Sequence, residues 1–485
     1  MSLNKKILKE ALTFDDVLLI PSYSSILPSE VSLKTSITSD ITLNIPILSS
    51  AMDTVTESSL AISIAREGGL GIIHKNMDIE NQTKEVYKVK RYENGIIDDP
   101  ITLYKNSTLK HAKDLMMKYR ISGLPVIEKD NYLLGIITKR DIKYRINLDT
   151  SVEDIMTKKL ITSTRDVTIK NAKNILLEGR IEKLPIVNEF NKLEGLITIK
   201  DIDNVIEYPN ACKDSKGKLR VGAAVGIDKE TLNRVESLIK VKVDLITIDS
   251  AHGHSSSIIK IIKSIRYFFP EIPLLVGNVV TKEGAKDLID AGSSILKVGI
   301  GSGSICTTRI VAGVGMPQIT AINDVYEYSK TRNISVISDG GIRYSGDIVK
   351  AIASGANSVM IGSLFAGTDE SPGEEVIYHG RKFKTYVGMG SLLSMNKGSK
   401  DRYFQFNEKI VPEGVEAIVP YKGKMKDVIY QICGGLRSGM GYCGVSNIKE
   451  LIKKGKFVKI TNSGLRESHP HSVRITKESP NYSGF

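Results

Sequence analysis

The stretch Val336-Ile-Ser-Asp339-Gly-Gly-Ile-Arg343, continuing through 345–354 to Ser358-Val-Met-Ile361-Gly-Ser363, contains one full cycle of strand, glycine turn, helix and strand. Both apolar runs are short and end in glycine, and the segment between them places apolar residues at helical spacing. The same alternation recurs outward from here. Strand signals fall at 45–49, 69–74, 220–225, 244–249, 274–277, 295–298, 336–339 and 358–361. Amphipathic runs at 256–269, 282–291, 319–330 and 345–354 separate several of them. Eight strand–helix units predict an α/β fold of the (β/α)8 barrel type, with a doubly wound open sheet as the alternative. The barrel is preferred because nearly every strand ends in polar or glycine residues, as when all C-terminal ends converge on one site.

The unit count closes only if residues 95–207 are set aside. Within them Ser122-Gly-Leu-Pro-Val-Ile and Leu134-Gly-Ile-Ile-Thr-Lys-Arg-Asp-Ile142 recur sixty residues later as Glu182-Lys-Leu-Pro-Ile-Val and Glu194-Gly-Leu-Ile-Thr-Ile-Lys-Asp-Ile202. A repeat that occurs twice at this period is a tandem module, about 95–150 and 155–207, and not a solenoid. The pair resembles CBS modules. That resemblance implies an adenine or guanine nucleotide, with Asp141 and Asp201 facing ribose. A first-turn aspartate favoured by the helix dipole is the other reading. The barrel would then comprise residues 1–94 and 208–485.

Composition narrows the class. No run approaches the roughly eighteen apolar residues of a membrane span, and the N-terminal residues lack the long apolar core of a secretory signal. Four scattered cysteines make no disulfide framework, so the expectation is a cytoplasmic protein. The net charge of +12 is spread over short, separate lysine clusters without interleaved aromatics, which argues against nucleic acid and suits anionic small molecules.

The chemistry should sit where glycines follow strands. Gly299-Ile-Gly-Ser-Gly-Ser-Ile-Cys306-Thr-Thr-Arg309 follows the sixth strand. Alternate glycines let this loop approach a ligand closely, and Cys306 at the catalytic face reads as a reactive thiol in preference to a buried hydrophobe. Asp339-Gly340-Gly341 and Gly362-Ser363 occupy the positions where barrels bind phosphate through backbone amides, and Asp339 suits ribose hydroxyls. Gly439-Met-Gly-Tyr-Cys-Gly444 matches a dinucleotide fingerprint but follows no strand. His252, His254, His469 and His471 form pairs without a completing ligand set.

Taken together these pieces resemble the IMP dehydrogenase family over nearly the whole chain. The motifs include 12–19, 51–57, 73–77, Asp249 to His254, the Cys306 loop, Gly388-Met389-Gly390-Ser391, Asp401-Arg-Tyr-Phe404, Pro412-Glu-Gly414 and 464–471. The resemblance implies NAD-dependent oxidation of IMP to XMP, the committed step of guanine nucleotide synthesis, through a Cys306 thioimidate. It implies that Arg402 and Tyr403, on a mobile flap of about 391–420, activate water, although an arginine side chain alone would not suggest a base. Thr308 would lie near the nicotinamide, with Asp249, Asn278, Gly299, Ile300 and Gly301 on the cofactor. IMP contacts would be Ser304, Asp339, Gly340, Gly341, Gly362, Ser363, Tyr386, Val387, Gly388, Met389, Gly390 and Glu413. Val387 departs from the arginine usual there. Carbonyls of Gly301, Gly303 and Cys306 would hold a monovalent cation, K⁺, with Glu467, Ser468 and His469 of a neighbouring subunit. A homotetramer is thereby implied, with an octamer through the CBS modules as an extension. The rivals are GMP reductase, which usually lacks the insert and the Arg-Tyr pair, and a non-catalytic nucleotide sensor.

Overall fold

The computed structural model describes residues 6–92, 97, 100–405, 407 and 409–482. The expected boundary at 94/95 and residues 406 and 408 of the expected flap lie outside them. Two compact units emerge: Met1–Lys90 with Asn210–Phe485, and Arg91–Pro209.

In the larger unit all eight apolar runs become parallel strands. They are β1 (Ile47–Ser49), β2 (Leu70–Ile73), β3 (Val221–Val225), β4 (Leu245–Asp249), β5 (Leu274–Val279), β6 (Ile295–Val298), β7 (Ser335–Asp339) and β8 (Ser358–Ile361). β8 pairs with β1, Val359 opposite Ile47, so the sheet closes into a barrel and the open-sheet alternative fails. Apart from the half-buried Ser335 and Asp339 that end β7, the strands are buried along their length because side chains on one face fill the barrel and those on the other meet helices. Leu48, Leu70, Ile72, Ala224, Leu245, Leu275, Ile295, Ile337 and Met360 share one core. The outer ring includes Ser58–Arg66, Thr231–Lys240, Ser256–Phe268, Lys282–Ala291, Gln318–Ser329 and Ser345–Ala353, with Met425–Tyr442 packed between the last and the first of these. The Gly439–Gly444 motif lies at the end of that last helix and its cap, which removes it from any strand–turn context.

Sequence periodicity did not reveal a three-stranded antiparallel sheet after the barrel, formed by β9 (Glu375–Tyr378), β10 (Arg381–Val387) and β11 (Glu416–Pro420). It pairs Val387 with Glu416, so the residues just beyond these two are held side by side. The last five residues of the expected flap are therefore a sheet strand. Short helical segments, Leu392–Lys397 and Ser399–Tyr403, occupy its first part.

The smaller unit repeats one plan. Helix Leu109–Lys118, strands Gly123–Ile127 and Leu133–Thr138, and helix Lys139–Ile142 correspond to Ile169–Glu178, Lys183–Val187, Leu193–Thr198 and Ile199–Glu207. Thr108 and Thr168 cap the first helix of each copy by accepting from His111 N and Asn171 N. Asp141 and Asp201 each accept from the amide and the hydroxyl of the threonine three residues earlier, fastening the turn that starts the closing helix. Burial raises the pKa of Asp201.

Candidate active site

The C-terminal ends of the barrel strands surround a cavity of about 840 Å³, counted out to its open mouth. β6 supplies its central element. Gly299 (φ 143°) and Gly301 (φ 73°) adopt backbone conformations that L side chains rarely take. They turn the chain so that Cys306 faces the cavity, half-buried, while Cys212, Cys433 and Cys443 are buried elsewhere. Burial pushes the Cys212 and Cys433 thiols up to about 12. The Cys306 thiol lies 3.2 Å from the Thr308 hydroxyl.

Main-chain bonds fasten this loop to the segments that face it. Thr307 N donates to Glu413 O (2.9 Å), Val415 N to Ile305 O (3.1 Å), Gly388 N to Val415 O (3.0 Å) and Glu413 N to Gly390 O (2.9 Å). Residues 413–415 thus lie between the cysteine loop and the 388–390 turn, so Cys306, Glu413 and Gly388 to Gly390 form one stitched wall. On the opposite side the Ser302 hydroxyl donates to Asp339 O (2.9 Å). Gly340 (φ 87°) brings the backbone after β7 against that serine, where a Cβ would come within 2.5 Å of its Oγ.

The electrostatic centre is a lysine that the sequence reading missed. Lys297, in β6, is almost wholly buried and donates to Asp249 Oδ1 (2.9 Å), Asp339 Oδ2 (2.8 Å) and Asn278 Oδ1. Asn278 returns a bond to Asp339 Oδ2 (3.0 Å). One ammonium thereby spaces the polar ends of β4, β5 and β7. Arg402 completes the set by pairing with Asp249 Oδ2. Burial alone would raise the Asp249 carboxyl, but Arg402 and then Lys297 outweigh it and hold the group well below the usual carboxylate range. Burial likewise works against the Arg402 charge, and Asp249 overrides it in favour of the protonated guanidinium. Tyr403 is pushed up to about 12 by burial, with Arg402 opposing. Burial also raises Tyr386, against a hydrogen bond with Ser304.

Of the residues singled out from sequence, Asp249, Asn278, Gly299, Gly301, Gly303, Ser304, Cys306, Asp339, Gly340, Gly341, Gly362, Ser363, Tyr386, Gly388, Met389, Gly390, Arg402, Tyr403 and Glu413 line this one cavity. Others stand apart from its lining. Ile300 spends its carbonyl on Arg309 Nε (3.1 Å), and Val387 directs its amide to the Thr54 hydroxyl (3.0 Å). Within the chain, His469 packs with Tyr482 and Tyr344, with its Nδ1 2.9 Å from the Tyr482 hydroxyl. His254 meets Asp287 at 2.9 Å. Besides Lys297, the cavity contains Ser50, Met52 and Ser302, which sequence did not nominate.

A closed (β/α)8 barrel with a half-buried thiol facing glycine turns after β7 and β8 is the architecture of a barrel enzyme with a cysteine loop at the C-terminal ends of its strands. The family described as "IMP dehydrogenase / GMP reductase domain" matches residues 11–471. The curated inosine-5'-monophosphate dehydrogenase of Halalkalibacterium halodurans is 55% identical over 98% of this chain and 99% of its own. That of Bacillus subtilis is 54% identical with the same coverage. Among solved structures, a Cys-to-Ala variant of GMP reductase from Trypanosoma brucei, in complex with guanosine 5'-monophosphate, superposes with a TM-score of 0.89. It is 37% identical and covers 98% of this chain and all of its own. The chain belongs to the IMP dehydrogenase / GMP reductase family. Because that reductase spans the insert as well, the insert does not separate the two activities.

Proposed function

We propose that this chain oxidises IMP to XMP with NAD⁺ as hydride acceptor, supplying guanine nucleotide synthesis. The observation that carries the reading is the joint presence of Cys306, Arg402 and Tyr403 in one cavity beside the glycine turns after β7 and β8. The phosphate would rest on the amides of Gly341, Gly362 and Ser363, the ribose on Asp339, and the base against Cys306 with Glu413 at its edge. The Cys306 thiolate adds to C2 of the purine, and the C2 hydride departs to the co-substrate. This leaves a thioimidate, which water hydrolyses to XMP with return of the thiol. Thr308 lies close enough to the sulfur to share its proton.

Asp249 is the acceptor we assign to the cofactor ribose, together with Asn278. In this structure Arg402 occupies its outer oxygen, which favours a scheme in which the 391–420 segment and the cofactor use the space by turns. The pairing also sharpens the role of Arg402. Asp249 favours its protonated form, so activation of water here is electrostatic, with the guanidinium stabilising hydroxide as it forms. A monovalent cation fits the carbonyls of Gly301, Gly303 and Cys306, since oxygen dipoles suit K⁺. The Gly303 carbonyl already takes the Cys306 amide (3.1 Å), which leaves it one lone pair. Glu467, Ser468 and His469 would come from a neighbour in a homotetramer. The insert, as a CBS pair, would take an adenine or guanine nucleotide and bear on octamer formation.

The test pairs two assays on the purified chain: NADH formation from IMP and NAD⁺, and NADPH consumption with GMP. The first should turn over and the second should not. Cys306→Ala should bind IMP yet form no NADH. NADPH-dependent conversion of GMP to IMP by the wild type would replace the dehydrogenase reading with the reductase one.

A further inference from the structure

Resting on that reading, we infer that the buried Lys75–Asp401 pair is a latch that docks residues 398–402 in the barrel mouth, and that it serves hydrolysis and not hydride transfer. Lys75 follows β2, and its ammonium meets Asp401 Oδ1 and Gly398 O (3.2 Å). Both side chains are less than a tenth exposed. The second oxygen of Asp401 accepts from Ile227 N (3.1 Å), just past β3. Asn76 adds neutral bonds from its amide nitrogen to Ser394 Oγ and Ser399 Oγ, both 2.8 Å. Arg402, the next residue, donates its amide to Asp401 Oδ1 (2.8 Å) and accepts from Ala251 N (3.0 Å) past β4. Loops from three consecutive barrel strands therefore fix Asp401 and the backbone of Arg402, from which its side chain projects.

Two features make this more than an incidental ion pair. First, the space for the carboxylate is shaped by an absent side chain. A Cβ at Gly226 would fall on Asp401 Oδ2 and lie 3.2 Å from Lys75 Nζ, although Gly226 does not have the positive φ that would itself demand glycine. Second, the docked segment puts Arg402 on Asp249, the acid assigned to the cofactor ribose. Docking and cofactor occupancy then compete for one carboxylate, and any loss of docking shifts the population toward the cofactor-accessible state. Removing one partner of a buried pair leaves the other charged without compensation, which penalises only the docked state.

The experiment measures pre-steady-state and steady-state NADH formation in Lys75→Met, Lys75→Arg and Gly226→Ala, beside wild type. For Lys75→Met we expect a burst of about one NADH per Cys306 at a rate within about twofold of wild type. Its turnover should fall about tenfold or more, with stronger inhibition by excess NAD⁺ as the co-substrate holds the adduct state. Gly226→Ala, which changes no charge, should show the same split, and Lys75→Arg should recover part of the turnover. Unchanged turnover in both Lys75→Met and Gly226→Ala overturns the latch, as does a parallel fall of burst and turnover, which signals a general structural role. A wild type that makes no NADH from IMP removes the oxidation reading itself, and the latch with it.

Discussion

Replacing Lys297 with methionine keeps a similar volume but removes the one charge that joins Asp249, Asn278 and Asp339. The lysine side chain is 2% exposed and Asp249 is 7%, so water cannot replace the lost donor. Breaking one side of a buried pair costs about 3–5 kcal/mol. For a barrel unit of about 370 residues, an unfolding entropy near 2.1 cal/mol/K per residue converts ~4 kcal/mol into a Tm drop of about 5 °C. The sign with pH follows from Asp249. Its folded carboxyl sits below the unfolded value, so its contribution is present above the unfolded pKa and is lost as pH falls through the folded one. Without Lys297 that depression weakens. The Tm deficit should therefore be full at pH 8 and still full at pH 5, both above the unfolded carboxyl, and shrink only as pH falls below about 4. Activity should fall about 10²-fold in kcat/KM, because the acids proposed to meet the two ribose moieties lose their common anchor. Differential scanning fluorimetry at the two pH values, with steady-state kinetics at pH 8, checks this. A Tm equal to wild type, or a deficit that already shrinks between pH 8 and pH 5, would overturn this.

Other predictions use the remaining site groups. At pH 8 a thiol with a pKa of about 12 is thiolate to only about one part in 10⁴, so iodoacetamide should leave Cys212 and Cys433 unlabelled in the folded protein. Cys306 should be alkylated and protected by IMP, as peptide mapping will show. Arg402→Ala should retain the first NADH per site while turnover falls about 10²-fold or more, the scale of a lost electrostatic stabiliser. Exchange of K⁺ for choline should lower turnover about tenfold or more and restoration of K⁺ should recover it. Equal rates in both buffers would remove the cation from the Gly301–Cys306 loop.

The fold was legible because barrel strands write themselves twice, as short apolar runs and as the glycine or polar residues that end them. The loops after β6 and β7 were equally readable, since the backbone conformations of Gly299, Gly301, Gly340 and Gly341 demand a residue type. Lys297 was not readable. A single lysine within Ile295–Val298 looks like any interruption of an apolar run, and its partners lie 48 and 42 residues away. The same holds for Lys75 and Asp401, 326 residues apart, which only the closed barrel brings together. Sequence reasoning also took the insert as evidence against a reductase, which the Trypanosoma brucei structure removes. The pairing of Arg402 with Asp249 gave no sign in the sequence either. The antiparallel sheet of β9 to β11 escaped because its outer strands are short and only partly buried, and lack an alternating apolar face.

Trapping the covalent intermediate decides whether Cys306 is the nucleophile toward C2 of IMP. The Arg402→Ala variant is mixed with IMP and NAD⁺, quenched in acid within the first turnover, digested and mapped by mass. A purine-nucleotide adduct is expected on the peptide carrying Cys306, in amount equal to the NADH released. NADH formed without any modified Cys306 peptide, or an adduct on another residue, would contradict it.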